Sequence, residues 1–240
     1  MIDIHSHILF GVDDGPSDKE AAKRLLLAMY QQGIRTIVAT PHQRKGMFEA
    51  TKDKIQARYL ETVQLAQEIA PDLTLLLGSE IYVTQGTVAK IEQDMYLPLA
   101  DTKILLVEFP YEVEYRELYK QLKAIIWAGY RVVIAHIERY DAFENHADRV
   151  EELLNLGCYM QVNAASLLPI KLFDKQKQRK KRARYFLAKH LVQFIASDAH
   201  NTENRACYMQ EAYAFLVKEY GQKVADDLCS RNQEKLLKLN

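Results

Sequence analysis

Short apolar runs alternate with longer amphipathic segments along the whole chain. The runs are apolar on both faces, as strands buried inside a parallel sheet are. They predict seven strands, over Ile2–His5, Thr36–Thr40, Leu73–Leu77, Lys103–Phe109, Arg131–Ala135, Tyr159–Val162 and Val192–Ala196. This alternation of strands and helical segments is typical of βα repeats.

The amphipathic segments between these runs predict helices. The first is expected to be capped by Ser17, because Glu20 three residues later would complete a capping box, and to end at Gly33. The others are predicted over Thr51–Ile69, Gly86–Asp94, Glu114–Ala128, Ala147–Leu156, Gln178–His190, Arg205–Tyr220, Lys223–Ser230 and Asn232–Lys238.

Seven buried strands with intervening helices favour an α/β fold. The expected form is a (β/α)7 barrel with parallel strands and outer helices, one strand short of the TIM barrel. An open doubly wound sheet is the alternative, but the chain lacks the glycine-rich phosphate turn that such folds carry after the first strand. No linker-like stretch divides the sequence, so we expect a single domain over residues 1–240.

Composition narrows the class of protein further. The 32 basic and 32 acidic side chains balance, which gives no support to a nucleic-acid partner. The three cysteines, Cys158, Cys207 and Cys229, form no disulfide or zinc-ribbon pattern and fit a reduced cytoplasm. The chain begins with a strand-like run, and no window is apolar enough to span a membrane, so a cytoplasmic protein without membrane insertion is expected.

Imidazole and carboxylate side chains stand at the ends of nearly all the predicted strands. In a barrel these ends meet at one mouth, where the active site lies. The set comprises His5, His7, His42, Glu80, Glu108, His136, Asp198 and His200, with Asn163 after the sixth strand and Asp13 and Asp14 on the loop after the first. One such side chain alone is more often structural, but the repetition predicts a metal centre.

The types of ligand indicate the chemistry. Imidazoles and carboxylates without thiolates suit Mn, Fe or Zn and disfavour a structural zinc site. The ligands are too many for one ion, so two or three ions that share a carboxylate are expected. Such clusters activate water and polarise oxyanions, which predicts hydrolysis, most commonly of phosphate esters.

Fixed cations that could bind a phosphate accompany these ligands. Arg139 follows His136 by three residues and Arg205 follows His200 by five, and a guanidinium offers the fork of donors that phosphate geometry favours. Arg44 and Lys45, just after His42, are further candidates.

The motifs together resemble those of the polymerase-and-histidinol-phosphatase (PHP) superfamily. They are His5-Ser-His7, Asp13-Asp14-Gly15-Pro16, Thr40-Pro41-His42, Gly78-Ser79-Glu80, Glu108-Phe109, Ala135-His136-Ile137-Glu138-Arg139-Tyr140 and Ser197-Asp198-Ala199-His200. The chain is most similar to the manganese-dependent tyrosine-protein phosphatases of capsular and exopolysaccharide clusters in Gram-positive bacteria. The likeness extends over essentially the whole sequence.

The resemblance implies a distorted (β/α)7, TIM-like barrel of the PHP fold with three Mn²⁺ ions, and Fe or Zn are the alternative metals. It assigns His5, His7, Glu80 and Asp198 to the first ion. It assigns Asp14, His42 and His200 to the second, with Asp13 able to exchange roles with Asp14. It assigns Glu80, Glu108 and His136 to the third.

The resemblance also implies the catalytic roles and the substrate. Arg139 and Arg205 match the family's phosphate-binding positions, and Asp14 or a metal-bound water is the candidate general acid. The implied substrate is phosphotyrosine on the membrane-associated, autophosphorylating tyrosine kinase of polysaccharide export. That kinase could recruit the phosphatase to the inner face of the membrane. The sequence does not indicate an oligomeric state.

Three other functions are alternatives to this interpretation. A cysteine-based phosphatase needs an arginine six residues after its cysteine, whereas Ala164, Tyr213 and Lys235 occupy those positions. Histidinol phosphate or another phosphomonoester is the alternative substrate for the same centre. A metal-stabilised regulator that binds the kinase without hydrolysis is the non-enzymatic alternative.

Two further features keep more than one interpretation. The basic run from Lys175 to Arg184 is either a solvated helix face or a contact for an acidic partner or anionic membrane. The tyrosines Tyr111, Tyr115, Tyr119 and Tyr140 either line an approach for a phosphotyrosine ring or belong to the edge of the core.

Overall fold

The computed structural model describes residues 1–239 and has an α/β architecture in which every pair of adjacent strands is parallel. The strands are β1 (Ile2–Ser6), β2 (Thr36–Ala39), β3 (His42–Gln43), β4 (Thr74–Leu77), β5 (Glu80–Tyr82), β6 (Ile104–Glu108), β7 (Arg131–Ile134), β8 (Cys158–Asn163) and β9 (Phe194–Ala196). The α-helices are α1 (Lys19–Gln31), α2 (Lys52–Ile69), α3 (Thr87–Glu92), α4 (Tyr115–Trp127), α5 (Ala147–Leu156), α6 (Lys177–Ala188), α7 (Met209–Tyr220), α8 (Gln222–Asp226) and α9 (Asn232–Leu237).

Nine strand segments make up seven strands of the barrel, because two of the predicted strands are interrupted. β3 continues β2 after Thr40 and Pro41, and β5 continues β4 after Gly78 and Ser79. The ladder runs on through the break, since Gly78 N–H donates to Ala39 O (2.8 Å) and Glu80 N–H donates to Pro41 O (3.1 Å). The short segments β3 and β5 then pair His42 with Glu80. The sequence pattern did not reveal these two extensions.

The strand order and one bridge close the seven-stranded barrel that the pattern predicts, and its distortion is the one that the resemblance implies. The strands run β1-β2-β4 and β3-β5-β6-β7-β8-β9, and a parallel bridge from Ser6 to Ala199 joins the first strand to the segment after the last. Asp198 N–H donates to His5 O (2.8 Å) and His7 N–H donates to Ala199 O (2.9 Å) at this seam. The buried Asp3 carboxylate accepts the Ser197 N–H across it (2.9 Å).

Side chains alternate between the two faces of each strand, and the face that forms the core inside the barrel also presents residues of the candidate site at the mouth. In β6, Ile104 and Leu106 belong to the apolar cluster inside the barrel, and Glu108 lies on the same face at the mouth. β9 repeats this arrangement, with Phe194 inside and Asp198 two residues beyond the strand at the mouth. The interior is thus apolar at the bottom and polar where the strands end.

The helix boundaries follow the sequence predictions to within a few residues, with one corrected cap. Asp18, not Ser17, caps α1, because its carboxylate accepts the Ala21 N–H (2.9 Å). Thr51 caps α2 with its hydroxyl, and Gly157 in the left-handed region ends α5. The helix predicted from Arg205 begins only at Met209, which leaves Arg205 on the loop at the mouth. Within residues 1–239, no helix is both long and apolar enough to cross a bilayer.

Candidate metal centre

All nine predicted ligands converge at the carboxyl ends of the strands. Eight of them are buried, and Asp14 is partly exposed on the loop after β1. The three sets of atoms that could each hold an ion are His5, His7, Glu80 and Asp198; His7, Asp14, His42 and His200; and His42, Glu80 and Glu108. His136 adjoins the last set through Glu80.

The first set surrounds a common point between β1, β5 and β9. The Nε2 atoms of His5 and His7 are 3.3 Å apart, and Glu80 Oε2 lies 3.2 Å from each. Asp198 Oδ1 lies 3.6 Å from His5 Nε2 and 3.4 Å from His7 Nε2. Two nitrogens and two oxygens therefore face one another, which suits an N/O-ligated cation.

The second set lies nearer the solvent. Asp14 Oδ1 is 3.3 Å from His200 Nε2 and 3.5 Å from His42 Nε2. The ring of His7 stacks on the ring of His200 with 3.7 Å between their centroids, which brings both sets together.

The third set differs in detail from the grouping that the resemblance implies. His42 Nδ1 lies 3.1 Å from Glu80 Oε2 and 3.4 Å from Glu108 Oε1, so His42 faces both the second and third sets. His136 Nε2 lies 2.8 Å from Glu80 Oε1 and 3.8 Å from Glu108 Oε2. Glu80 presents one oxygen to each side and is placed to bridge.

The unpaired polar atoms of the site fit metal cations. Buried polar atoms normally have hydrogen-bond partners. Within residues 1–239, five cluster atoms have none: His42 Nδ1, Glu80 Oε2, Glu108 Oε1, Asp198 Oδ1 and His200 Nε2. They are ligand-type atoms that face one another, so the residues present can hold metal ions.

Asp13 and Gln161 orient the imidazoles from outside the cluster. His7 Nδ1–H donates to Asp13 Oδ2 (2.8 Å), which also accepts the His42 N–H (2.9 Å). His5 Nδ1–H donates to Gln161 Oε1 (3.1 Å). With Nδ1 protonated, the Nε2 atom of each ring keeps a free lone pair that can bind a metal. Residues that accept a hydrogen bond from metal-binding histidines commonly have this effect. Sequence reasoning missed Gln161, since nothing in a strand interior distinguishes it.

A hydrogen-bonded amide chain links this support to Asp198. Gln161 Nε2–H donates to Asn163 Oδ1 (2.8 Å), and Asn163 Nδ2–H donates to Asp198 Oδ2 (2.7 Å). Asn163, which follows the strand-end pattern, therefore positions a candidate ligand. His200 is oriented separately, because its Nδ1–H donates to Asp198 O (2.9 Å).

The protonation of two imidazoles suits metal binding. Burial and the Arg139 guanidinium lower the pKa of His136 to about 4. Burial and His7 lower the pKa of His200 to about 4. Both rings are neutral near pH 7, which is the form that binds metal.

The carboxylates draw positive charge to the middle of the cluster. Burial and His7 would each lower the pKa of His42, yet Glu80 and Glu108 raise it to about 9. Burial alone would raise the pKa of Asp198, but Arg139 and His5 hold it well below its usual range. Protons and metal cations therefore compete for the same atoms.

The two predicted phosphate-binding arginines stand beside the cluster. Arg139 Nη2–H donates to Asp198 Oδ2 (2.5 Å), and its side chain is 16% exposed. Arg205 Nη1–H donates to Asp14 Oδ2 (2.8 Å), with Nη2 at 3.5 Å from Asp198 Oδ1. Both guanidiniums thus lie where the cluster meets the solvent.

A cleft of about 360 Å³ opens over these groups. Its floor includes Asp14, His42, Glu108, Asp198, Arg139 and Arg205. Its walls include Arg44, Met47, Phe48, Tyr111, Gln176, Arg179 and Tyr208. Lys45 lines a neighbouring cavity instead.

The structure separates the four tyrosines that could have lined the approach. Only Tyr111 lines the cleft. Tyr140 is fully buried, and its hydroxyl accepts the Phe109 N–H (3.2 Å), so the expectation that it lines the approach is wrong. Tyr115 and Tyr119 are partly buried and pack against the core, away from the cleft.

Known proteins resemble this chain over almost its whole length. The family described as capsular polysaccharide synthesis, CpsB/CapC, matches residues 1–238. The tyrosine-protein phosphatase CpsB of Streptococcus pneumoniae is 47% identical over 238 residues, which cover 99% of this chain and 98% of that protein.

Solved structures show the same relationship. One, from work on YwqE of Bacillus subtilis and CpsB of S. pneumoniae described as unique metal-dependent tyrosine phosphatases, has a TM-score of 0.89 at 32% identity and covers 99% of this chain and 94% of its own. Histidinol phosphate phosphatase of Lactococcus lactis shares the fold, with a TM-score of 0.58 at 15% identity and 95% coverage of both chains. The chain belongs to the CpsB/CapC family of capsular polysaccharide synthesis proteins.

Proposed function

We propose that this chain is a metal-dependent protein-tyrosine phosphatase that hydrolyses phosphotyrosine by a route without a cysteine nucleophile. The observation that carries the proposal is the convergence of nine imidazole and carboxylate side chains at one place, where four of them line a cleft together with two arginines. The near full-length likeness to tyrosine-protein phosphatases supports the choice of substrate. The three cysteines are buried, and burial raises the pKa of Cys158 to about 12. Buried thiols of this kind do not provide a thiolate nucleophile.

The centre is proposed to hold three Mn²⁺ ions, with Fe or Zn as alternatives. His5, His7, Glu80 and Asp198 would hold the first; Asp14, His42 and His200 the second; and Glu80, Glu108 and His136 the third. When bound, such ions polarise phosphate oxygens and make hydroxide available near neutral pH. The oxygens and nitrogens present in each set are the donors that these metals accept.

The protein's own groups bind and orient the phosphate. Arg139 and Arg205 approach the cluster from the cleft and would donate hydrogen bonds to phosphate oxygens, each giving up part of its contact with Asp198 or Asp14. Asp14 lies beside Arg205, and although burial would raise its pKa, His200 and His42 hold the pKa of this carboxyl below its usual range. Its carboxylate is therefore ionised, and a water molecule in the cleft is the better candidate to protonate the leaving oxygen. A tyrosine leaving group needs little such help, because phenol has a pKa of about 10.

The partner is proposed to be the membrane-associated tyrosine kinase that controls capsule or exopolysaccharide synthesis. The description of the family as a capsular polysaccharide synthesis family supports this choice. Recruitment by that kinase would bring the phosphatase to the inner face of the membrane.

A panel of substrates tests the activity. We expect hydrolysis of a phosphotyrosine peptide with Mn²⁺, loss of hydrolysis with a chelator, and recovery on adding metal back. Turnover of histidinol phosphate alone would show instead that the chain is a small-molecule phosphatase.

The change His136→Ala separates an enzyme from a binding regulator. We expect it to lower kcat/KM by about a hundredfold or more while a phosphotyrosine peptide still binds. His146→Ala is the matched control, since His146 lies outside the cluster. Unchanged phosphate release by the His136 variant would show that this centre does not do the chemistry.

A further inference from the structure

The basic residues of α6 fall into groups with different surroundings. Arg182 Nη2–H donates to Asp141 Oδ1 (2.6 Å), and its Nε–H donates to Glu144. Lys180 pairs with Asp174 (2.7 Å) and also donates to the Pro169 carbonyl. These contacts are internal to the fold, and they neutralise two of the six positive charges of this helix.

The Arg182 contacts also fix where α6 lies relative to the site. Asp141 and Glu144 belong to the segment that directly follows Arg139, and Arg182 Nη1–H donates to the Glu138 carbonyl (3.4 Å). α6 is therefore clamped beside the cleft, and the residue one turn before Arg182 is held at its wall.

That residue is Arg179, the basic residue of the described part of α6 that lines the cleft. Its guanidinium lies over the ring of Tyr111 at 5.0 Å from the centroid. Within residues 1–239 it forms no ion pair with a carboxylate. The Tyr111 carbonyl accepts the Asp141 N–H (3.0 Å), so the stacking partner is anchored to the same segment as α6.

Binding of the phosphotyrosine phosphate does not require the guanidinium of Arg179. Arg139 and Arg205 already supply fixed donors at the metal cluster, whereas Arg179 stands on the wall with Gln176 and Tyr111. Stacking on an aromatic face holds the guanidinium plane while leaving its N–H groups free to donate.

We propose that Arg179 and Tyr111 form a subsite for a second anionic group of the substrate, carried by a residue that flanks the phosphotyrosine. The ligand is a carboxylate or a second phosphate, since both accept the guanidinium fork. The inference rests on the proposed function for its substrate, but binding can be measured without turnover.

Binding of phosphonate analogues of phosphotyrosine peptides tests the subsite. The peptides carry acidic flanks, the matching amide flanks, or a second phosphotyrosine analogue, and their Kd is measured with the Mn²⁺-loaded protein by fluorescence anisotropy. We expect the acidic peptides to bind about tenfold more tightly than the amide peptides at low salt. Arg179→Gln should remove this preference and leave the Kd of the amide peptides unchanged.

Lys181→Gln is the matched control, because Lys181 is an exposed cation of the same helix that does not line the cleft. Arg44→Gln tests the other arginine of the wall, which stacks on Tyr82 at 4.1 Å. Tighter binding of the acidic-flank or of the bis-phosphonate series identifies which anion the subsite takes.

Several results would overturn the assignment. The first is that all peptides bind the unaltered protein with equal affinity. The second is that the Arg44 variant loses the preference for acidic peptides while the Arg179 variant keeps it. The third is that the Arg179 variant loses affinity equally for every peptide. A different result would contradict the proposed function: the protein would not hydrolyse phosphotyrosine peptides, although it would still bind the acidic peptides more tightly than the amide peptides.

Discussion

Two adjacent carboxylates in the first loop have opposite roles. Asp14 points into the cluster toward His42 and His200. Asp13 points away and accepts hydrogen bonds from the His7 ring and from two backbone N–H groups, those of Gly15 and His42. Sequence reasoning could not decide between them, because neighbouring residues of a loop have no fixed face. The geometry favours Asp14 as the ligand and Asp13 as the group that orients one.

The change Asp13→Asn tests this division. An amide cannot hold His7 Nδ1–H as strongly as a carboxylate does, so we expect Mn²⁺ affinity to fall by about 10–100-fold. Competition with a chelating dye measures it. Asp53→Asn, on the exposed first turn of α2, is the control and should leave the affinity unchanged. Wild-type affinity in the Asp13 variant would contradict an orienting role.

Other residues show where the sequence was and was not informative. Histidines and carboxylates at strand ends were identifiable, since the ends of parallel strands meet. Gln161, Gln176 and Arg179 were not, because their roles depend on contacts between distant elements. The basic run predicted a charged helix, but only its contacts show that Arg182 is held internally while Arg179 faces the cleft.

At the scale of elements, the loop after β1 is held tightly against the strand it leaves. A Cβ at Gly15 would lie 2.2 Å from the His7 carbonyl oxygen and 3.0 Å from Asp13 Oδ1. Real Cβ atoms do not approach a backbone that closely, so only glycine lets this loop bring both aspartates to the cluster.

We expect Gly15→Ala to lower the free energy of unfolding by about 1–3 kcal/mol and to weaken metal binding, because the loop must move. Urea denaturation and metal titration measure the two effects. Gly86→Ala is the matched control, as no atom lies within 4 Å of its added Cβ. If both variants behaved alike, close packing of the Gly15 loop would not matter.

Errors in the predicted elements have one local and one long-range cause. Ser17 and Asp18 are both good caps, and the Ser17 hydroxyl donates to the Asp18 carboxylate, which itself takes the helix N–H. The extensions β3 and β5 lie beyond Pro41 and Gly78, where local preferences predict that a strand ends. Pairing between them, which involves residues almost forty positions apart, decides otherwise.

At the scale of the molecule, the barrel closes through a buried carboxylate. Asp3 accepts the Ser197 N–H (2.9 Å), the Ser197 hydroxyl (2.5 Å) and the His5 N–H (3.3 Å). These bonds tie β1 to the segment that carries Asp198. The carboxylate therefore supports both the closure of the sheet and the first candidate ion site.

Removing this carboxylate with Asp3→Ala should lower the free energy of unfolding by about 2–4 kcal/mol, because the Ser197 N–H is left buried without a partner. Ser197→Ala keeps the backbone N–H bond to Asp3 but removes the bond from the hydroxyl to Asp3 and the bond that the hydroxyl accepts from the Ala199 N–H, so it should cost about 1–2 kcal/mol. Chemical denaturation measures both. A cost for Asp3→Ala no larger than that for Ser197→Ala would show that the seam does not depend on this carboxylate.

The whole architecture was the easiest part to predict. Seven buried runs alternating with amphipathic helices leave few arrangements, and the parallel barrel follows from them. The resemblance implied a distortion, but the residue pattern did not show its place, which is where β2 and β4 break beside the site. The sequence predicts candidate ligands at the strand ends, and the breaks determine how close those side chains come to one another.

The seam between the first and last strands also sets the time at which the centre can form during synthesis. His5 and His7 are made at the start of the chain, and Asp198 almost two hundred residues later. At about 5–20 residues per second the interval is about 10–40 s. The first candidate set is incomplete until β9 docks beside β1, so tight metal capture follows this long-range step of folding. Loading with metal would then mark a finished molecule.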